Sequence, residues 1–340
     1  MTDANVPQLR QKTLKVPRGY NYTYYTSLAS PGKPTLILFH GWPDSAKLWA
    51  NVIDKHLVRL GYGVIAIDIL GFGNTSKPTD HTQYAFHLVA ADAAAIIDAE
   101  NLSSVVSVGH DWGSGIAQRF YNFYPSRVSG LVMVNFSYIP PNVPPFELES
   151  ALDHSRHTFG YGIYEYWKFL AADDSPRLLK QNIESIYAAA HGSPESWLET
   201  FGKPDGLRAF VSNGTTQPLL PYAGGSHKAE FVERMTRDGF EGPSCWYKAY
   251  VSGTQNESNK LVPQETFVVK VPTLFWGGTR DKVCRPEMMQ WGVEAGLLPH
   301  LTTKLVDEGH WALLARPDTF GHDLVDWLEE NFGTVGESSV

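Results

Sequence analysis

Ser107-Val-Gly109-His110-Asp111-Trp112-Gly113 is the stretch from which the rest of this chain can be read. The apolar run Ser104-Val-Val-Ser-Val-Gly109 predicts a buried strand, and Ile116, Phe120 and Tyr124 at four-residue steps predict a helix that Pro125 ends. Glycines two before and two after Asp111 are what a tight strand-to-helix turn needs, because a side chain at either place would clash where the backbone reverses. The apex residue is then presented at the end of a strand. Serine enzymes that use this turn carry Ser there; this chain carries Asp111. Ser114 cannot replace it, since Trp112 stands two before it where the turn requires glycine. The competing reading is a chance Gly-x-Asp-x-Gly, and its position between a strand and a helix argues against that.

Outward from this turn, short apolar runs alternate with helical patterns, the signature of a mainly parallel α/β sheet. Lys12–Val16 and Tyr20–Thr26 open the series, followed by Thr35–His40, a run from Gly63 to Asp68, and Gly130–Asn135. Helices are expected from Ser45 to Gly61, from Thr82 to Glu100 and after Asp111. From about 137 to 265 the pattern becomes helical and aromatic-rich, broken by Pro and Gly. Alternation resumes with Val271–Trp276, a helix near 286–296 and Leu301–Val306. A final amphipathic helix starts near Pro317 with Phe320, Leu324, Trp327 and Phe332 inward. The expected organisation is an α/β core in two parts, 1–136 and 266–340, with a helical cap at 137–265.

A carboxylate nucleophile needs no base to activate it, and the N-terminus of the following helix stabilises its charge. The ester it forms must then be hydrolysed. His310, in Asp307-Glu308-Gly309-His310-Trp311 after the last strand, is the candidate for activating water, at the sheet edge where open α/β folds gather their sites. Asp281, after the preceding strand, can orient the imidazole through its second nitrogen, with Glu308 the outside alternative. The other position for such an acid, after the strand ending at Asn135, holds Asn. His40-Gly41-Trp42-Pro43 can turn the Trp42 amide towards the point that the Trp112 amide faces, forming an oxyanion hole. Asp68-Ile-Leu-Gly71-Phe-Gly73 reads as backbone shaping.

A net charge of −8 and a pI near 5.8, without a basic run, argue against nucleic acid and anionic membranes as partners. Two cysteines, Cys245 and Cys284, offer neither a disulfide framework nor a Cys-rich metal site. No phosphate loop or dinucleotide fingerprint occurs, so neither cofactor nor metal is expected. The opening MTDANVPQLRQK lacks a signal-peptide core and no apolar run is long enough to span a bilayer, which makes the cytoplasm the default location.

His-Gly-Trp-Pro, Gly-His-Asp-Trp-Gly and the placing of Asp281 and His310 together resemble the epoxide hydrolase branch of the α/β-hydrolase family, over roughly residues 12 to 333. The segment Gly239-Phe-Glu-Gly242-Pro243-Ser-Cys245-Trp246-Tyr247-Lys248 is similar to the family's Gly-Phe-x-Gly-Pro-x-Asn-Trp-Tyr-Arg, departing at Cys245 and Lys248. The resemblance implies the α/β-hydrolase fold with a helical cap, and two cap tyrosines that donate to the epoxide oxygen. Tyr247 maps onto one. The other is assigned to Tyr161, with Tyr164 and Tyr166 as alternatives. An apolar, aromatic pocket is expected to include His40, Pro43, Tyr164, Trp246 and Trp311, and to take a small hydrophobic epoxide; a homodimer is allowed. The rival readings are a dehalogenase, a cyclase or lactone-processing enzyme on the same triad, and a ligand receptor without turnover.

Overall fold

The computed structural model describes residues 9–141 and 144–333. The outer ends of the two expected core segments, 1–8 and 334–340, and residues 142–143 lie outside the described residues.

The apolar runs become β1 (Arg10–Lys15), β2 (Asn21–Ser27), β3 (Thr35–Phe39), β4 (Gly63–Ile67), β5 (Val105–His110), β6 (Val128–Val134), β7 (Thr273–Gly278) and β8 (Leu301–Val306). They form one sheet in the order β1-β2-β4-β3-β5-β6-β7-β8. β2 pairs antiparallel with β1 and β4, and every other pairing is parallel. This is the α/β-hydrolase arrangement of a mostly parallel sheet flanked by helices.

β3, β4, β5 and β7 are buried at every residue because helices cover both faces. Alternation still divides the core. Leu36, Leu38, Val106, Val108, Val132 and Val134 face the helix Pro317–Phe332, whereas Ile37, Phe39, Leu131 and Met133 face the helices Phe86–Ala99 and Trp112–Phe123. Each such side chain contributes about 1.5–3 kcal/mol by leaving water. The edge strands are the exceptions: β1 is exposed at every residue but Leu14, and β8 exposes Thr303, Lys304 and Leu305, where the Lys at its centre discourages further pairing.

Two expected helices differ in detail. From Ser45, whose Oγ accepts from the Lys47 amide at 3.4 Å, the chain winds in short turns of changing pitch and stops at Gly61 with φ +83°. The Thr82 region is a separate turn, His81–Tyr84, because the Asp80 carboxylate caps the Thr82 amide at 2.9 Å; the long helix begins only at Phe86.

Between β6 and β7 the described elements are all helical. Tyr247 and Tyr250 of the helix Glu241–Val251, and Trp167 of the helix Glu165–Leu170, pack against Trp112. The insert therefore sits over the carboxyl ends of β3, β5, β6, β7 and β8, where ligands of such sheets gather. No helix among the described residues is long and apolar enough to cross a membrane.

Candidate active site

Asp111 has φ 54° and ψ −127°, a conformation that costs a non-glycine residue about 1–3 kcal/mol and persists only where neighbours enforce it. The flanking glycines allow it: a Cβ on Gly109 would stand 2.1 Å from the Gly113 carbonyl oxygen, and one on Gly113 2.0 Å from that of Phe39. The Trp42 amide donates to Asp111 Oδ1 at 2.8 Å. His40 holds that turn. Its Nε2 accepts from the Ile69 amide at 3.1 Å, so the proton sits on Nδ1 and donates to the Gly41 carbonyl at 2.8 Å. Burial pushes His40 down to about 3, which keeps it neutral.

On the other side of the carboxylate, His310 Nε2 lies 3.6 Å from Asp111 Oδ2. Its Nδ1–H donates to Asp281 Oδ2 at 2.7 Å. Asp281 Oδ1 accepts the Val283 and Cys284 amides, both at 2.9 Å, and Oδ2 also accepts Asn135 Nδ2 at 3.0 Å. Burial would raise Asp281, but His310 and these donors outweigh it and hold the carboxylate below its ordinary value. Burial would lower His310, but Asp281 and then Asp111 outweigh it and raise the imidazole above 6.5. Asp111 itself lies above the ordinary carboxylate value because of burial, partly offset by His310 and the Trp112 and Trp42 amides. Glu308 is engaged elsewhere, accepting Arg316 Nε at 2.7 Å.

A small cavity opens on Asp111 and His310, with Trp42, Tyr166, Tyr247 and Trp311 among its walls. Tyr166 and Tyr247 meet edge to face at 5.8 Å. Burial, then the charge of Tyr247 at Tyr166 and of Asp111 at Tyr247, pushes both phenols well above 10, so both remain protonated donors.

Tyr161, the residue expected to be the second phenol, is not brought to this cavity. It precedes the helix that carries Tyr166, and its hydroxyl donates to the Lys282 carbonyl at 2.9 Å. Of the expected pocket residues Trp311 lines the cavity, but four others do not. Tyr164 packs between Phe146 and Trp167, Trp246 donates its indole N–H to the Leu70 carbonyl at 3.0 Å, Pro43 is buried behind Trp42, and His40 serves the turn.

Several groups escaped the sequence reading. Trp197 and Phe201 line the cavity from the insert, in a segment with no motif to announce them. Asn135 was read only as the absence of an acid, yet it is the amide that steadies Asp281. Asp44 is buried, its Oδ2 has no partner among the described residues, and burial pushes it up to about 7 despite Arg234. Asp281, Cys284 and His310 bring one potential metal-ligand atom each within 4.8 Å. His310 and Asp281 are already joined through a proton and burial raises the Cys284 thiol well above its ordinary value, so the donor set works as an acid–imidazole pair.

A carboxylate at the tight turn after β5, an acid after β7 and a histidine after β8 fit one class of protein: the chain belongs to the α/β hydrolase fold family, whose pattern matches residues 34–317. It is 26% identical over 304 residues to bifunctional epoxide hydrolase 2 of Sus scrofa, covering 87% of this chain and 51% of that protein. The chain thus spans about half the length of the mammalian relatives it matches. Epoxide hydrolase A of Mycobacterium tuberculosis is 27% identical over 312 residues, covering 88% of this chain and 91% of that one. Among solved structures, an epoxide hydrolase from an endophytic Streptomyces has the same fold, with a TM-score of 0.79, 23% identity and coverage of 95% of this chain and 96% of that chain.

Proposed function

We propose that this protein hydrolyses a hydrophobic epoxide to a vicinal diol through a covalent ester on Asp111. The observation that carries the reading is the pairing of an ionisable carboxylate with two protonated phenols, Tyr166 and Tyr247, in one aromatic cavity. The names of the similar proteins support it. With Oδ1 held by the Trp42 amide, Oδ2 is the oxygen that attacks an epoxide carbon. The ring C–O bond breaks, and the phenols donate to the oxygen as it becomes an alkoxide. His310 then takes a proton from water, and the hydroxide adds to the ester carbonyl of Asp111. The oxyanion forms at Oδ1, before the Trp42 and Trp112 amides, a contribution of about 3–4 kcal/mol per donor in such sites. The ester bond breaks and the imidazolium gives its proton to the departing oxygen; the water's second proton, left on the Asp111 carboxyl, replaces the one a phenol gave to the epoxide oxygen, which completes the diol and restores both phenol and carboxylate. The helical insert acts as a cap that carries the phenols and excludes bulk water.

Oxygen labelling tests the cycle. One turnover in heavy-oxygen water should leave the label in the peptide containing Asp111 and release unlabelled diol. His310→Gln should accumulate protein plus one substrate mass. Labelled first-turnover diol, with no adduct on the variant, refutes the covalent route.

One observation favours a second reading, dehalogenation. The buried indole N–H groups of Trp42 and Trp112 have no hydrogen-bond partner among the described residues, and such groups suit a departing halide. Halide release from alkyl halides faster than diol formation from matched epoxides would establish it.

A further inference from the structure

A second small cavity reaches His310 without touching Asp111. The two cavities share only Trp197, His310 and Trp311, which form the wall between them. His310 lies between the two indoles, tilted against Trp197 at 5.3 Å and edge-on to Trp311 at 4.9 Å. The second cavity runs between the insert, represented by Leu220 and Tyr222, and the loop and short helix that carry Glu308 and Ala315. The insert approaches that loop closely, for a Cβ on Gly309 would stand 2.8 Å from Pro194 Cγ.

The two cavities differ in chemistry. The one over Asp111 is walled by aromatic rings with Ala190 and Val283, apart from its reacting groups, so the alkyl chain of an ester on Asp111 fills it and shuts water out. The second carries a phenol hydroxyl from Tyr222 and the carboxylate of Glu308, and charged pairs flank it: Arg280 Nε donates to Glu195 at 3.1 Å and Arg316 Nε to Glu308 at 2.7 Å. It is wide enough for about one water at a time, and polar groups of this kind are what hold ordered water. Asp111 does not line this cavity, so water held there has to pass the edge of the His310 ring to meet Nε2 and the ester carbonyl.

We infer that the cavity between the insert and the 308–315 segment is the route by which the hydrolytic water reaches His310 while the ester occupies the other side. This rests on the ester mechanism above. It separates the two reactants: substrate enters over Asp111, and water enters behind the base. The second half-reaction then does not depend on the substrate leaving room.

Ala315 and Leu220, both partly exposed, are the places to narrow the route without touching the reacting groups. Ala315→Met and, from the insert side, Leu220→Phe should leave single-turnover alkylation by styrene oxide unchanged. Hydrolysis of the ester should slow by about tenfold, a barrier change that losing one well-placed water supplies. The alkyl-enzyme should then dominate in steady state by intact-protein mass spectrometry. With propylene oxide, whose small alkyl group leaves space over Asp111, the slowing should be smaller. Parent-like hydrolysis of the styrene oxide ester in both variants would overturn the route, even where His310→Gln still traps an adduct. Absence of an adduct on His310→Gln would overturn the ester mechanism together with it.

Discussion

Replacing Tyr166 by Phe, with Tyr161→Phe beside it, separates the phenol that faces Asp111 from the one that only resembles it in sequence. Tyr166 is 8% exposed and Tyr247 2%, so a hydrogen bond from either to a developing alkoxide forms away from water. A bond to a charged group there stabilises by about 1.5–3 kcal/mol, equivalent to roughly 10- to 150-fold in the alkylation rate for each phenol removed. Binding should change less, because the charge arises only in the transition state. Tyr161→Phe removes a half-buried bond to the Lys282 carbonyl and should cost stability of about 1 kcal/mol with no loss in alkylation. Stopped-flow quenching of the tryptophans around the cavity, Trp42, Trp197 and Trp311, follows alkylation directly in a single turnover. If Tyr161→Phe slows alkylation while Tyr166→Phe does not, the geometric assignment fails. If neither Tyr166→Phe nor Tyr247→Phe slows it, phenol assistance fails altogether.

Asp281→Asn should leave alkylation nearly intact and slow ester hydrolysis by roughly 10³- to 10⁴-fold, since the imidazole loses the partner that fixes its tautomer; rapid quench of the two steps checks this. Alkylation needs ionised Asp111, so it should fail as pH drops through a value above the ordinary 3.8. Hydrolysis needs neutral His310, whose proton is held more tightly than usual, so the free enzyme's imidazole should titrate above 6.5. In the alkyl-enzyme the Asp111 charge is gone and that limb should move down; a limb that stays in place would show that Asp111 does not influence His310. Asp44 titrates near 7 in the same window, and Asp44→Asn separates its contribution in the pH profile. Arg119→Met should lower stability to urea by about 3 kcal/mol, because Asn259, Asn122 and the Ile139 carbonyl each lose a buried donor; a change below 1 kcal/mol would contradict this.

The place of Asp111 at the end of β5 was legible because its constraint is local. Gly109 and Gly113 are demanded by the turn itself, and a turn of that shape dictates what stands at its apex. His310 and Asp281 were legible from their places after two recognisable strands. The second phenol was not, because Tyr161, Tyr164 and Tyr166 lie within six residues and their directions depend on where the helix Glu165–Leu170 begins. Packing decides: Phe201 and Tyr247 close on Tyr166 at 5.2 and 5.8 Å, while Tyr164 turns to Phe146 and Trp167. The contacts with Phe146, Phe201 and Tyr247 join distant parts of the chain, and spacing alone does not reveal them. Asn135 was hidden for another reason. An amide that supports a carboxylate leaves no pattern of its own.

The helix Trp112–Phe123 ties the two halves of the site together. Its N-terminus carries Asp111, and one face of its later turns holds both junctions of the insert. Gln118 Oε1 accepts the Ile139 amide at 2.7 Å, and Arg119 donates to the Ile139 carbonyl at 2.8 Å, where the chain leaves the core. Arg119 Nε also donates to Asn259 at 2.9 Å, and Asn122 Nδ2 to the Thr266 carbonyl at 2.7 Å, where the chain returns. Among the described residues no carboxylate pairs with the buried Arg119, so its charge is compensated by these carbonyls and amides and by the Phe86 ring, 5.9 Å away. The phenols belong to the insert and the carboxylate to the core, yet both are positioned from a single rigid element. A shift of about 1 Å between reacting groups can cost about 100-fold in rate. Loosening this helix should therefore slow alkylation, which needs the phenols, more than ester hydrolysis, which needs His310, Asp281 and the oxyanion donors. Arg119→Met tests this below its unfolding range: equal slowing of both steps would mean that the helix anchors the fold without setting the register between insert and nucleophile.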